Sequence, residues 1–408
     1  MLIKALIYRL KRPYHFFKTG LALGWRTQRR LGHPARKLKI LTITGTDGKT
    51  TSSTLLYHVL KASGYKVALL STVAAYINSK TIDTGFHVTS PDPSQLHQLF
   101  AQMVEEGIEY VVLEVTSHGV YQFRTWGVEP KLAGLTNISP EHLDYHLSYR
   151  HYIEAKCLNL ASADVAVIND DDQSGPMVKR ILRANQQRFL TYSEDDRLYH
   201  RVSATINQTF PEDYNRANAR LVYKMTQLLG VPNKDFIAGL KAFPGIPGRM
   251  ETVAKKPFKV VVDFAHTPQG LEAALKALRQ DVKKKSGRLI AVYGSAGLRD
   301  RSKRPVMGRI GTELADLVVL TAEDPRTENP WAIIRQMKEQ LTAHHHKIVS
   351  IVDREKAIRF ALTQLAKPGD VVGIFGKGHE QSMCYGTTEH PWDDIKVAKK
   401  ILTERKSR

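Results

Sequence analysis

The run Gly45-Thr46-Asp47-Gly48-Lys49-Thr50-Thr51 gathers residue types that together can hold a phosphate. Gly45 and Gly48 let backbone N–H groups turn toward an anion, Lys49 adds a positive charge on a long stem, and Thr50 offers a hydroxyl suited to Mg²⁺. A glycine turn between a strand and a helix would explain the two glycines but not the Lys-Thr-Thr that follows them. The common phosphate-loop pattern places four residues between its glycines, and here only Thr46 and Asp47 stand there. Nucleotide binding through residues 45–51 is the expectation.

The flanking sequence supplies the elements such a loop needs. Leu38, Ile40, Leu41 and Ile43 form a short β-rich run that ends at Gly45. Leu55, Leu56, Val59 and Leu60 then follow helical spacing, and Gly64 stands where a helix-closing glycine belongs. An anion on the loop would face the N-terminus of that helix, where unpaired donors and the dipole favour it. Strands are expected at 67–70, 108–115, 132–136 and 165–168, and helices at 149–160 and 214–229. Ser94 is the expected N-cap of the helix that carries Leu96, Leu99, Phe100 and Met103. Beyond two strand ends lie Glu114, Thr116, Ser117 and His118, then Asn137, Glu141, His142, Asp144 and His146. Open α/β sheets build their sites at such ends, so a metal and phosphate site is expected there.

Phe243 to Gly248 (FPGIPG) breaks every regular pattern and reads as a domain boundary. A second α/β alternation follows, with strands expected at 260–264, 289–293, 317–321, 348–352 and 371–375. Their ends carry Asp263 and His266, residues 294–300, residues 323–326, Asp353, and Gly376-Lys377-Gly378-His379-Glu380. The fold class read from this is α/β: a central P-loop ATPase domain (39–246), a C-terminal Rossmann-like doubly wound domain (247–408), and a short basic helical segment (1–38) in front. Two facing domains of this kind suggest a cleft for an ATP-dependent reaction at a carboxylate.

Composition narrows the setting. A chain of 408 residues with 42% hydrophobic content suits two soluble domains. Cys157 and Cys384 are far apart and in no ligand-like spacing, so neither a disulfide framework nor a zinc site is indicated and a reducing cytoplasm is expected. The net charge of +20 is concentrated at the start, where the first 40 residues hold 11 Lys/Arg and no Asp/Glu. Leu2, Ile3, Leu6, Ile7 and Leu10 follow helical spacing among cations, Pro13 is expected to interrupt, and Tyr14, Phe16, Phe17, Leu21, Leu23 and Trp25 come after it. No apolar run approaches a membrane span, and the scattered charges do not fit a signal peptide. Three roles remain open for this segment: packing on the main body, docking at the inner face of an anionic membrane, or nucleic-acid contact. The third has no accompanying motif.

Read together, TGTDGKTT (44–51), TSPDP (89–93), EVTSH (114–118), TNISPEHLDYH (136–146), YIEAK (152–156), YNRANA (214–219), PGRME (247–251), VVDFAHTP (261–268), DPR (324–326), GKGHE (376–380) and HPWDD (390–394) resemble the Mur ligase family. Within it the MurE type, which adds the third residue of the peptidoglycan stem peptide, is most similar. The resemblance implies an ATP- and Mg²⁺-dependent, ADP-forming amide ligase that acts through an acyl phosphate on a small-molecule peptidoglycan precursor and an amino acid. It makes Lys49, Glu114, His142 and Lys156 catalytic. Thr50, Glu114, His142 and Lys156 become metal-binding, with Lys156 as a carbamylated lysine whose added CO₂ turns a repelling ammonium into an anionic ligand. Asn215 and Asn218 fall at the adenine, and Arg249, Asp263 and His266 complete the nucleotide site. Thr89, Ser90, Thr116 and Ser117 fall at the peptide substrate, and Arg299, Asp324, Arg326, Gly376 and Glu380 at the incoming amino acid.

The departures bear on specificity. Asp47 stands for the usual Asn, Thr116 for Ser, Glu141 for Asp, and Leu298 for the Asp of a Gly-Asp-Arg-Asp run. The usual Asp-Asn-Pro-Arg of diaminopimelate ligases reads Glu323-Asp324-Pro325-Arg326. Arg326 favours an acceptor with a second carboxylate, and Asp324 leaves lysine or another diamino acid open. About forty basic and aromatic residues stand where the family places a uridine-nucleotide-binding domain, which implies a donor held differently, with a lipid-linked precursor as one option. The alternatives are another superfamily ligase, such as a folylpolyglutamate-type or other cell-surface peptide ligase, and a noncatalytic nucleotide-binding protein that docks on membrane.

Overall fold

A computed structural model of the chain describes residues 10–72, 75–77, 80–82, 91–283, 287–341 and 345–406. They belong to two compact units, Met1–Pro244 and Gly245–Arg408.

The first unit is built on an eight-stranded sheet. Its strands are β1 (Lys39–Thr44), β2 (Val67–Leu70), β3 (Ala75–Ile77), β4 (Lys80–Ile82), β5 (Tyr110–Glu114), β6 (Leu132–Leu135), β7 (Val165–Asn169) and β8 (Phe189–Tyr192). They lie in the order β4-β3-β2-β5-β1-β6-β7-β8. All pairs are parallel except those made by β3 with β2 and β4. β1 is buried at every residue after Lys39, which is why Ile40-Leu41-Thr42-Ile43 reads as a continuous apolar run rather than an alternating one. Its neighbours are β5 and β6, so the loops leaving three adjacent strands meet beyond its carboxyl end.

The helix Lys49–Ala62 closes over the sheet with Leu55, Leu56, Val59 and Leu60 fully buried. It ends before Gly64, whose φ of +85° supplies the left-handed turn expected there. One cap is corrected: the helix Pro93–Glu105 is capped by Asp92, not Ser94, and its carboxylate accepts from the N–H groups of Ser94 and Gln95. Pro93 lacks an N–H and fits the first helical position, which moves the cap one residue ahead of it. Strands β5 and β6 are shorter than the apolar runs suggested, because Ile108, Val115 and Thr136 already belong to loops.

The basic segment packs on this unit. Residues 10–15 are α-helical, Phe16–Trp25 wind as a π-helix and Arg26–Arg30 return to α, so the helix continues through Pro13 instead of breaking there. Gly20 and Gly24 lie against Trp126, so closely that a Cβ on either would fall within 2.7 Å of its side-chain carbons. Phe16 meets Phe123 and Trp126 edge-on. No helix among the described residues is long and apolar enough to cross a membrane.

The second unit has a six-stranded sheet whose order, by first residue, is Ile348, Leu317, Leu289, Val371, Lys259, Glu251. Its strands are β9 (Glu251–Ala254), β10 (Lys259–Asp263), β11 (Leu289–Tyr293), β12 (Leu317–Leu320), β13 (Ile348–Ser350) and β14 (Val371–Phe375). The hairpin β15 (Ser382–Tyr385) and β16 (Thr388–Pro391) stands apart. Only β9 runs antiparallel in the main sheet. The helix Asp394–Lys406 is tied to the sheet by Arg354, which is fully buried: its guanidinium donates to both Asp394 carboxylate oxygens (2.8 and 2.7 Å), to Ala322 O (3.2 Å) and to Phe375 O (2.8 Å). The HPWDD motif therefore ends in a structural carboxylate, which also accepts from the Trp392 indole at 2.8 Å.

Candidate active site

The phosphate loop is shaped by neighbours that admit no side chain. A Cβ on Gly45 would fall 1.8 Å from Thr136 Oγ1, and one on Gly48 (φ +80°) would fall 2.3 Å from Asn218 Oδ1. Asn218 is thereby brought directly onto the loop, with Asn215 beside it at 3.3 Å. The loop backbone is latched to the strand end after β6: Thr46 N donates to Asn137 O (2.8 Å), Asp47 N to Asn137 Oδ1 (3.0 Å), and Asp47 O accepts from Thr136 Oγ1 (2.6 Å) and Asn137 Nδ2 (3.0 Å). Thr46 Oγ1 contacts Tyr152 Oη (3.2 Å) and accepts from Ser139 N (3.0 Å). Gly48 caps the helix Lys49–Ala62, whose first turn holds Thr50 and Thr51, and Lys49 Nζ folds back on Thr46 O at 2.8 Å.

Glu114 sits at the end of β5 with its carboxylate buried between two threonines. Thr50 Oγ1 donates to Oε2 (3.0 Å), while Thr72 donates through N to Oε2 (3.2 Å) and through Oγ1 to Oε1 (2.9 Å). Thr72 was not anticipated from the sequence. Its signal is positional, two residues beyond β2 and next to the strand that carries Glu114. Carboxylate and hydroxyls form a hard oxygen set that fits Mg²⁺, which keeps several waters and takes few protein ligands. Among the described residues no group of three or more His, Cys, Asp or Glu side chains is arranged to hold a metal by itself.

The predicted histidines gather beside Tyr152, whose ring lies 6.2 Å from that of His142 and 5.3 Å from that of His146. His118 lies with its ring 4.8 Å from that of His142, 4.2 Å from Tyr145 and 5.2 Å from His146. His146 Nε2 is 3.0 Å from Ser117 Oγ, and burial, with His118 and Lys156 nearby, pushes its pKa down to about 3. His142 holds a left-handed backbone (φ +56°) and begins the short helix Leu143–His146. Thr116 caps the helix Ser117–Tyr121 through Gly119 N (3.0 Å). Asp144, expected among this group, is exposed instead, because it falls on the outer side of a four-residue helix whose His146 is buried. Thr89 and Ser90 lie outside the described residues.

Lys156 is buried on the helix Tyr149–Leu160, with Nζ 2.5 Å from Gly45 O and 4.5 Å from the Tyr152 ring centre. Burial first, then the charge of Lys49, holds its ammonium well below the ordinary lysine range.

In the second unit the predicted residues fall into two groups. Around Phe264, the Arg249 guanidinium stacks at 4.2 Å and His266 and His379 approach at 4.5 and 4.8 Å. Asp263 accepts from Met250 N (2.7 Å) and Ala265 N (2.8 Å). The other group is an ion cluster around the buried Lys377: its Nζ meets Asp324 Oδ1 at 2.8 Å and Glu380 Oε2 at 2.5 Å, and Asp324 Oδ1 also accepts from Cys384 N at 2.9 Å. Burial alone would lower the Lys377 pKa, but Glu380 and Asp324 together raise it. Asp324 and Arg326 both carry positive φ (39° and 52°), and Arg326 donates to Gly297 O at 2.6 Å. Gly376 approaches Glu323 so closely that a Cβ would fall 2.3 Å from Oε2. Burial pushes the Glu323 carboxyl up to about 7 despite Lys303, Arg354 and Lys377 nearby. Arg299 is exposed.

Residues 43–230 match the Mur ligase middle domain, and residues 248–378 match the Mur ligase, glutamate ligase domain. Over 395 residues the chain is 37% identical to the UDP-N-acetylmuramoyl-L-alanyl-D-glutamate--2,6-diaminopimelate ligase of Clostridium botulinum, covering 91% of this chain and 80% of that one. The chain belongs to the Mur ligase family. It is accordingly an ATP- and Mg²⁺-dependent amide ligase that forms ADP. The equally named enzyme of Parabacteroides distasonis is 36% identical over 95% of this chain and 82% of its own length. A solved structure of such a Mur ligase, 30% identical, superposes with a TM-score of 0.58 over 93% of this chain and 83% of that one. A Mycobacterium tuberculosis folylpolyglutamate synthase reaches 0.69 over 99% of both chains at 18% identity, a likeness of fold alone.

Proposed function

We propose that this Mur ligase joins 2,6-diaminopimelate to the D-glutamate carboxylate of a muramoyl-L-alanyl-D-glutamate donor. The observation that carries the reading is its 37% identity, over 91% of the chain, to ligases named for that reaction. The retained Arg326 supports it, because a guanidinium fork suits the second carboxylate of such an acceptor. The donor carboxylate attacks the γ-phosphorus of ATP in line, so a carboxyl O–P bond forms as the bridge to the β-phosphate breaks and ADP leaves. The acceptor amine then attacks the acyl carbon, the C–O bond to phosphate breaks, and the ammonium proton is released as the amide forms.

In this reading the N–H groups at the start of the helix Lys49–Ala62 and the Lys49 ammonium hold the phosphates, with Asn215 and Asn218 at the base. Mg²⁺, when bound, would be held by the Thr50 hydroxyl and Glu114 and would offset charge on the transferring group. Arg249, Asp263 and His266 serve the nucleotide, His142 would join Thr50 and Glu114 at the metal, and Thr116 and Ser117 bind the donor. Arg299, Asp324, Arg326, Gly376 and Glu380 receive the amino acid. Lys156 acts as its carbamate: a buried amine held low in pKa reacts with CO₂, loses a proton and becomes an anion. The test is ADP release with a muramyl dipeptide donor, in nucleotide-linked and lipid-linked forms, against diaminopimelate and lysine. Strong preference for diaminopimelate is the expected result. AMP release, or no turnover with any acceptor, would reject the reading.

A further inference from the structure

The N-terminal helix has two faces of different chemistry. Arg12, Phe16, Gly20, Gly24 and Gln28 recur every four residues along one side. The Arg12 guanidinium lies over Phe123 at 5.5 Å, Phe16 and both glycines meet Trp126, and Gln28 is buried. That contact fixes which residues point away. Leu10, Tyr14, Phe17 and Trp25 are 59, 55, 64 and 43% exposed, more than a folded chain normally leaves on one helix. Cations accompany them: Lys18 Nζ sits 5.3 Å from the Tyr14 ring centre and the Arg29 guanidinium 5.4 Å from that of Trp25. No acidic residue occurs anywhere in the first 40 positions to neutralise this face.

We propose that the outer face of the N-terminal helix docks this enzyme on an anionic lipid surface, with Tyr14, Phe17 and Trp25 entering the headgroup region and Lys18, Arg26 and Arg29 meeting the lipid phosphates. Charge complementarity selects this occupant. A second copy of the same face would bring cations against cations, whereas an anionic bilayer offers negative charge and an apolar boundary together. Packing and membrane binding, which the sequence presents as competing roles, thus use opposite sides of one helix. The proposal concerns a surface outside the ligase site and stands whether or not the acceptor assignment holds.

The test is co-sedimentation of the full-length protein with vesicles of phosphatidylcholine alone and of equimolar phosphatidylcholine and phosphatidylglycerol. Binding to the anionic vesicles, weakened by added salt and accompanied by a blue shift of tryptophan emission that the Trp25→Phe variant lacks, is expected. The triple variant Tyr14→Ser/Phe17→Ser/Trp25→Ser removes exposed side chains only. It is expected to keep its melting temperature and ADP release while losing vesicle affinity by about tenfold or more. Failure of the wild type to sediment with anionic vesicles, or equal sedimentation of the triple variant, would overturn the proposal. So would a wild-type dimer by light scattering that the variant abolishes, or retention on an oligonucleotide without retention on vesicles.

Discussion

The phosphate loop of the first unit is held by neutral groups: the Thr136 hydroxyl, the Asn137 amide and backbone carbonyls fix its course. Lys49 and Lys156 then rest on carbonyl oxygens of the same loop. In the second unit the loops after β12 and β14 are held by ions, with Arg354 paired to Asp394 and Lys377 shared between Asp324 and Glu380. A neutral frame leaves the Lys49 charge available for a polyanion that must bind and leave. An internally matched frame has little net charge to offer, so it selects a ligand by the placement of its groups. Substitutions that remove an ion and substitutions that remove a hydroxyl should therefore differ in size and in what they disturb.

The largest effect is expected from Arg354→Ala. It strands the Asp394 carboxylate in the core and frees the carbonyls of Ala322 and Phe375, the residues leading into the acceptor loops. A loss of about 3 to 5 kcal/mol in urea unfolding is expected. A loss below about 1 kcal/mol would show that the second unit does not depend on its ions, and the contrast with the first would fail. Lys156→Ala comes next. It should fold, since it removes a buried charge, yet lower ADP release by about 10² to 10³-fold, with partial recovery on adding short carboxylic acids that can take the carbamate's place. Intact-mass detection of an added CO₂ that the variant lacks is the companion measurement, and full activity of the variant would break the assignment.

A pH effect sharpens the same contrast. Glu323 has a folded pKa raised to about 7 from an ordinary 4.5, so between those values the folded state keeps a proton that the unfolded chain gives up. Stability from this group is complete below pH 4.5 and declines as the pH rises to 7, by about 3 kcal/mol in total. Glu323→Gln should therefore gain relative to wild type as the pH climbs through that window, measured by urea midpoints at pH 5 and pH 8. A constant difference would mean that Glu323 is ionised throughout.

How much of this could be read in the sequence follows the same division. The loop at 45–51, the strand preceding it and the strand-end clusters were legible because glycine spacing and apolar runs are local signals. Lys156 was legible only through its motif: nothing in a helix reading YIEAK shows that the lysine faces Gly45 rather than solvent. Thr72, Tyr152 and the Arg354–Asp394 pair were missed because each acts through a partner more than 35 positions away. The basic segment misled in one respect. Pro13, Gly20 and Gly24 are helix breakers by propensity, and it takes the Trp126 indole, a hundred residues on, to make the glycines an asset.

The smallest expected effect is also the sharpest check on the comparison. Thr136→Val keeps the shape of the side chain that crowds Gly45 and removes only the hydroxyl donated to Asp47 O at 2.6 Å. A single neutral hydrogen bond contributes about 1 kcal/mol, and Asp47 O retains the Asn137 amide, so stability should fall by about that amount or less. The loop would lose one of the four hydrogen bonds that latch its backbone to the end of β6 but none of its charge. KM for ATP is therefore expected to rise about three- to tenfold while kcat holds, because the latch acts before and during the reaction alike. A fall in kcat with KM unchanged would mean that the latch matters only in the transition state. The neutral frame would then be part of the chemistry rather than the mould in which Lys49 and Lys156 are held.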